Sequence, residues 1–144
     1  MGETEDSIHT WNDKGIALGK LEKHEEALAC FEEAIRLDPE NPKTWRNKGI
    51  TFVQQGKYEE AIPCFEEAIR LDPENSNAWN GKGGSLLRLE RYEEALACFE
   101  EAIKLDPEDS DAWNNKGSSL ASLERYEEAL SCFEEAIKLD PEDS

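Results

Sequence analysis

The chain has 144 residues, 38% of them hydrophobic, and a formal net charge of -18. That length suits one ordinary domain with a packed core, and no apolar run approaches the roughly 20 residues that span a bilayer. So much negative charge repels phosphate backbones and anionic lipid headgroups, which excludes nucleic acid and membrane surfaces as partners.

Taken from its start, the chain opens with Met-Gly-Glu-Thr-Glu-Asp-Ser, acidic where a secretory leader is basic and then apolar. Asp6 stands where a myristoylation signal needs Ser or Thr. Residues 1–7 are therefore expected to be an acidic tail on a cytoplasmic protein. From residue 8 onward the chain is periodic, with tryptophans at 11, 45, 79 and 113, each 34 residues after the last. Counting from each Trp, Gly recurs at +4 (Gly15, Gly49, Gly83, Gly117) and Ala at +16 (Ala27, Ala61, Ala95, Ala129). Phe follows at +20 (Phe31, Phe65, Phe99, Phe133), a second Ala at +23 (Ala34, Ala68, Ala102, Ala136) and Pro at +28 (Pro39, Pro73, Pro107, Pro141). A repeat of this length marks a solenoid or a propeller.

In the first unit, Trp11, Gly15, Leu18 and Leu21 fall at steps of three and four, which predicts helix A from about -3 to +9. Ala27, Phe31, Ala34 and Ile35 repeat that pattern and predict helix B from about +13 to +26, with Glu pairs on the opposite side. Leu37-Asp38-Pro39 ends it, because proline forces its predecessor out of the helical region and has no N–H to give. Glu32 and Arg36 are spaced for an i,i+4 ion pair, and Arg36 offsets the helix dipole. The next A helices open on cap-type residues, Asn41-Pro42, Asn75-Ser76 and Asp109-Ser110. In the second unit Pro63 is expected to bend helix B, and in the third Gly81 and Gly84 cost about 1 kcal/mol each relative to Ala.

Trp11, Gly15, Ala27, Phe31, Ala34 and Pro39, repeated fourfold, resemble the tetratricopeptide repeat. The resemblance implies an all-α fold, a right-handed α-solenoid of four helix-turn-helix repeats at 8–41, 42–75, 76–109 and 110–143. Two departures from the family pattern are Lys at +3 (Lys14, Lys48, Lys82, Lys116) and Leu or Phe at +7 (Leu18, Phe52, Leu86, Leu120). The lysines face the packing side, where the stem covers apolar surface and the ammonium reaches water.

Units three and four differ at six positions, and five of them lie on one stripe of helix A opposite the Trp: Asn77/Asp111, Gly81/Asn115, Gly84/Ser118, Leu87/Ala121 and Arg88/Ser122. In tetratricopeptide arrays that stripe lines the concave groove, so the resemblance implies a groove that receives a protein or an extended peptide. Its expected lining is His9, Asn12, Asp13, Ile16 and Lys20, then Lys43, Arg46, Asn47, Ile50 and Gln54. Units three and four add Asn77, Asn80, Leu87, Arg88, Asp111, Asn114, Asn115 and Ser118. Amides suit an extended backbone because they both donate and accept, and Lys20, Lys43, Arg46 and Arg88 against Asp13 and Asp111 favour some acidic character in the ligand. The family's grip on the terminal carboxylate of heat-shock proteins is not reproduced, since only Asn47 matches its residues.

Nothing here predicts an enzyme, a metal site or a cofactor. Cys30, Cys64, Cys98 and Cys132 share one position on four stacked helices about 10 Å apart, beyond the roughly 7 Å reach of a disulfide. They read as buried free thiols of a reducing compartment. His24 takes the place of a Tyr, and Gly81-Lys82-Gly83-Gly84-Ser85 lacks phosphate-loop spacing. The ends of a solenoid expose faces meant for a neighbour, so Trp11 at one end and Ala129, Phe133, Ala136 and Ile137 at the other predict a homo-oligomer stacked end to end. Other readings are a structural module whose main activity is that self-association, or a piece excised or engineered from a longer array.

Overall fold

The computed structural model describes residues 2–141, within which the chain is helical throughout. Residue 1 of the expected tail and residues 142–143 of the fourth repeat lie outside the described residues. The chain divides into two units, Met1–Pro73 and Glu74–Ser144. The first holds α1 (Gly2–Lys20), α2 (His24–Leu37), α3 (Pro42–Gln54) and α4 (Tyr58–Leu71); the second holds α5 (Ser76–Arg88), α6 (Tyr92–Leu105), α7 (Ser110–Ser122) and α8 (Tyr126–Leu139). Three A helices and all four B helices have the bounds the periodicity predicts. The exception is α1, which runs back to Gly2 through the expected tail; there Thr10 Oγ1 donates to the Asp6 carbonyl at 2.8 Å.

Each A helix packs antiparallel on the B helix that follows it, and α2 on α3 and α6 on α7 join successive repeats within each unit. Inside a repeat the closest approach is glycine against phenylalanine. A Cβ added at Gly15 would lie 2.5 Å from the Phe31 ring, at Gly83 2.7 Å from Phe99 and at Gly117 2.7 Å from Phe133. Phe31, Phe65 and Phe99 are fully buried, with Ala27, Ala61 and Ala95 and then Ala34, Ala68 and Ala102 packed beside them. The tryptophans, by contrast, are only half-buried.

The ends of the helices have identifiable causes. Asn41 Oδ1 accepts from Lys43 N at 3.0 Å, and Asn75 and Asp109 accept from Asn77 N and Asp111 N at the same distance, as the cap residues predict. Every A helix closes in a Schellman turn: Lys23 N donates to the Leu18 carbonyl at 2.9 Å, Lys57 N to Phe52 at 2.8 Å, Arg91 N to Leu86 at 2.9 Å and Arg125 N to Leu120 at 2.8 Å. The residue before each donor has positive φ; it is Gly56 in the second repeat but Glu22, Glu90 and Glu124 in the others. Pro63 does not interrupt α4, which keeps the same 14 residues as the other B helices. The expected Glu32–Arg36 pair is corrected: Arg36 turns to Glu33 at 2.6 Å, one residue nearer, while Glu32 faces Lys48 of α3 at 4.0 Å.

Three substitutions test this framework in urea unfolding of the full chain. Gly15→Ala is expected to cost roughly 1–3 kcal/mol by overpacking against Phe31, in spite of alanine's better helix propensity. Gly84→Ala, whose Cβ would meet nothing within 4 Å, is expected instead to add about 1 kcal/mol. Glu124→Gly should stabilise by about 0.5–1 kcal/mol, because it relieves a left-handed residue at the cost of backbone entropy. A neutral Gly15→Ala would remove the close approach from the account.

Candidate functional site

In the first unit, α1 and α3 lie side by side and leave a cleft of about 220 Å³ between them. One wall is Gly15, Ile16, Gly19 and Lys20 of α1, the other is Asn47, Ile50, Thr51 and Gln54 of α3, and the Phe31 ring reaches its floor. Five of these were expected from the sequence: Ile16, Lys20, Asn47, Ile50 and Gln54. Ile16 and Ile50 are 40% and 41% exposed, so two large aliphatic side chains at one position of the unit line the same cleft. Gly19 leaves room on this wall, and a Cβ there would stand in ordinary contact, 3.8 Å from Gln54 Oε1. The small residues Gly15, Gly19 and Thr51 were not anticipated, although the i,i+4 pair of glycines in α1 is legible in the sequence.

The same positions of the second unit are smaller and more polar. Gly84 and Ser118 stand where Ile16 and Ile50 stand in the first, with Leu87 and Asn115 half-buried and Arg88 exposed. His9 is exposed within α1, Lys43, Asn77 and Asp111 are exposed on the first turns of their helices, Asp13 and Asn114 are exposed, and Arg46 is half-buried.

Two expected groove residues do other work. Asn12 is 8% exposed and donates through Nδ2 to Thr44 Oγ1 at 3.0 Å, so it ties α1 to α3 and does not belong to the open wall. Asn80 Nδ2 likewise donates to Asp109 Oδ2 at 2.9 Å, tying α5 to the cap of α7. The reason is geometric: position +1 turns toward the following A helix, whereas +5 and +9 turn to the open side. On the expected end surface, Ala129 is also corrected, being 2% exposed beneath the packed pair α7–α8. Phe133 is half-buried over Gly117, Ala136 and Trp11 are half-buried, and Ile137 is exposed.

On the other side of α1, α3 and α7 the lysines at +3 lie over aromatic rings: Lys14 Nζ is 5.4 Å from the Trp11 ring, Lys48 5.6 Å from Trp45 and Lys116 5.5 Å from Trp113. Lys48 and Lys116 are also within 4.0 Å and 3.9 Å of Glu32 and Glu100 on the preceding B helix. The four cysteines are buried and unbridged. Burial pushes the Cys64 and Cys132 thiols up, which disfavours the thiolate and leaves them poor nucleophiles. No described helix is long and apolar enough to cross a membrane.

Known proteins share this architecture. A MamA structure from Desulfovibrio magneticus RS-1 superposes with a TM-score of 0.87 at 26% identity, covering 94% of this chain and 77% of that one. YrrB, described as a TPR protein with an unusual peptide-binding site, gives 0.83 at 27% identity over 94% of this chain and 70% of its own. The first TPR domain of Spaghetti (RPAP3), bound to an HSP90 peptide, gives 0.81 at 24% identity over 83% and 94%, a likeness of fold alone. No curated protein sequence matches the chain. Three family profiles, each described as tetratricopeptide repeat, match residues 14–79, 64–97 and 84–144. With four helix pairs carrying the 34-residue period behind those matches, the chain belongs to the tetratricopeptide-repeat family.

Proposed function

We propose that this protein-interaction module binds an extended peptide segment through the cleft between α1 and α3, and that an apolar side chain of the peptide seats between Ile16 and Ile50. The observation that carries this reading is the pair of half-exposed isoleucines facing one cleft, since exposed aliphatic surface gathered in a concavity is characteristic of a binding site. Asn47 and Gln54 supply amides that both donate to and accept from a peptide backbone, and Lys20 at the end of α1 favours a carboxylate nearby. Peptide binding by YrrB supports the general mode, while the ligand it takes is its own. The more polar wall of the second unit, with Arg88, Asn115 and Ser118, suits a hydrophilic stretch of the same or another segment. Four buried thiols suit a reducing compartment such as the cytoplasm.

Peptides selected from a random display library against the full chain test the reading. Ile50→Asp is expected to weaken the selected peptides at least about tenfold by leaving a carboxylate against apolar ligand surface. Its melting temperature should stay close to that of the parent, because the side chain is already partly in water. Lys20→Glu is expected to weaken acidic peptides selectively and to flatten the salt dependence of their binding. Selected peptides that bind Ile50→Asp as well as the parent would place recognition elsewhere.

A further inference from the structure

Position +8 of helix A is a different residue in every repeat: Gly19 in α1, Val53 in α3, Leu87 in α5 and Ala121 in α7. In the first unit α1 carries Ile16 at +5 and Gly19 at +8; in the second, α5 carries Gly84 at +5 and Leu87 at +8. Between the two leading helices the bulk has changed places. A side chain begun at Gly19 would cross toward α3 and meet Gln54 Oε1 at 3.8 Å, so +8 of a leading A helix faces the next A helix. Leu87, half-buried, holds that position in the second unit. The chain thus supplies an apolar side chain of its own at a place that it leaves empty in the first unit.

We propose that Gly19 selects the anchor of the ligand, and that the anchor is an aromatic side chain whose ring enters the α1–α3 cleft above Phe31. The inference rests on the reading of that cleft as a peptide site, and adds to it the class of side chain and the residue that admits it. The cleft is about 220 Å³, with the Phe31 ring at its floor and Ile16 and Ile50 on opposite walls. An apolar cavity of about 150 Å³ already accepts benzene, so the space suits a ring, and a ring pairs well with the edge or face of another. Gln54 and Asn47 on the α3 wall give a phenol hydroxyl or an indole N–H a partner. Lys20, exposed next to Gly19, complements a carboxylate beside the ring, so the occupant is a segment in which an aromatic residue is flanked by an acidic one. In the second unit Leu87 already stands at the corresponding position, and no anchor of this kind is taken there.

Peptides selected from a random display library on the full chain are titrated calorimetrically against a size series at residue 19, with circular dichroism to confirm that each variant is folded. The selected peptides are expected to share an aromatic residue, and its replacement by alanine should raise Kd at least about tenfold. Gly19→Ala adds a methyl in ordinary contact and should change Kd little. Gly19→Leu, which copies the second unit, should weaken the same peptides at least about tenfold by filling the place of the ring. Its melting temperature should not fall, because leucine is the better helix former. Ile50→Asp separates this inference from the reading beneath it. Peptides weakened by Ile50→Asp but bound equally well by Gly19→Leu, or carrying no aromatic residue, would overturn the inference and leave the cleft as the site. Peptides indifferent to both variants would overturn the two together.

Discussion

The contact on which each repeat rests is a phenylalanine ring pressed against the backbone of a glycine on the partner helix. Four times over, the missing Cβ at +4 is what lets helix A settle onto the Phe at +20, and at Gly15 even one methyl group would stand 2.5 Å from the ring. A fully buried Phe contributes about 1.5–3 kcal/mol through the hydrophobic effect. That exceeds the roughly 0.5–1 kcal/mol a mid-helix glycine costs in backbone entropy. The alanines at +16 and +23 follow from the same demand, since larger side chains there would hold the two helices apart.

Joining repeats is a different problem, handled by polar and amphipathic groups. Trp45 Nε1 donates to the Pro39 carbonyl at 2.8 Å and Trp113 Nε1 to Pro107 at 2.9 Å, so the residue that ends one B helix also receives the tryptophan of the next repeat. Lys48 and Lys116, above their rings, add ion pairs to Glu32 and Glu100 of the preceding B helices. Such exposed pairs are worth little individually, and their effect here is to select register more than to add stability. Asn12 to Thr44 and Asn80 to Asp109 do the same between neighbouring A helices.

Most of the fold was legible in one sequence because a strict period makes each local signal appear four times. Helix bounds, caps and the stop at proline could be read without coordinates, since each depends on residues within one turn. What escaped was whatever carried no residue-type signal of its own or depended on a neighbouring helix. The Schellman turns at Glu22, Glu90 and Glu124 were hidden because glycine marks that position only once, at Gly56. The extension of α1 was hidden because its acidic composition matches a solvated tail as well as a first helical turn. Within the candidate site, helical phase placed Ile16, Ile50 and Gln54 correctly on the open side. It misplaced Asn12 because a phase angle says which way a side chain turns, and only the spacing of two A helices says what it meets there.

That distinction bears on where specificity can reside in a repeat so uniform. Positions held by the Gly–Phe contact, the Trp–Lys stack or the Asn crosslinks cannot vary without loosening the array. Position +5 escapes all three. It is Ile16 and Ile50 in one unit and Gly84 and Ser118 in the other, and for Gly84 no atom lies within 4 Å of where a side chain would begin. The first unit has thus placed aliphatic surface where packing does not require it, against the tendency of water to penalise such exposure. A framework that is indifferent to the identity of a residue leaves that residue to be chosen by whatever binds there, and this is the physical ground for looking to the α1–α3 cleft first.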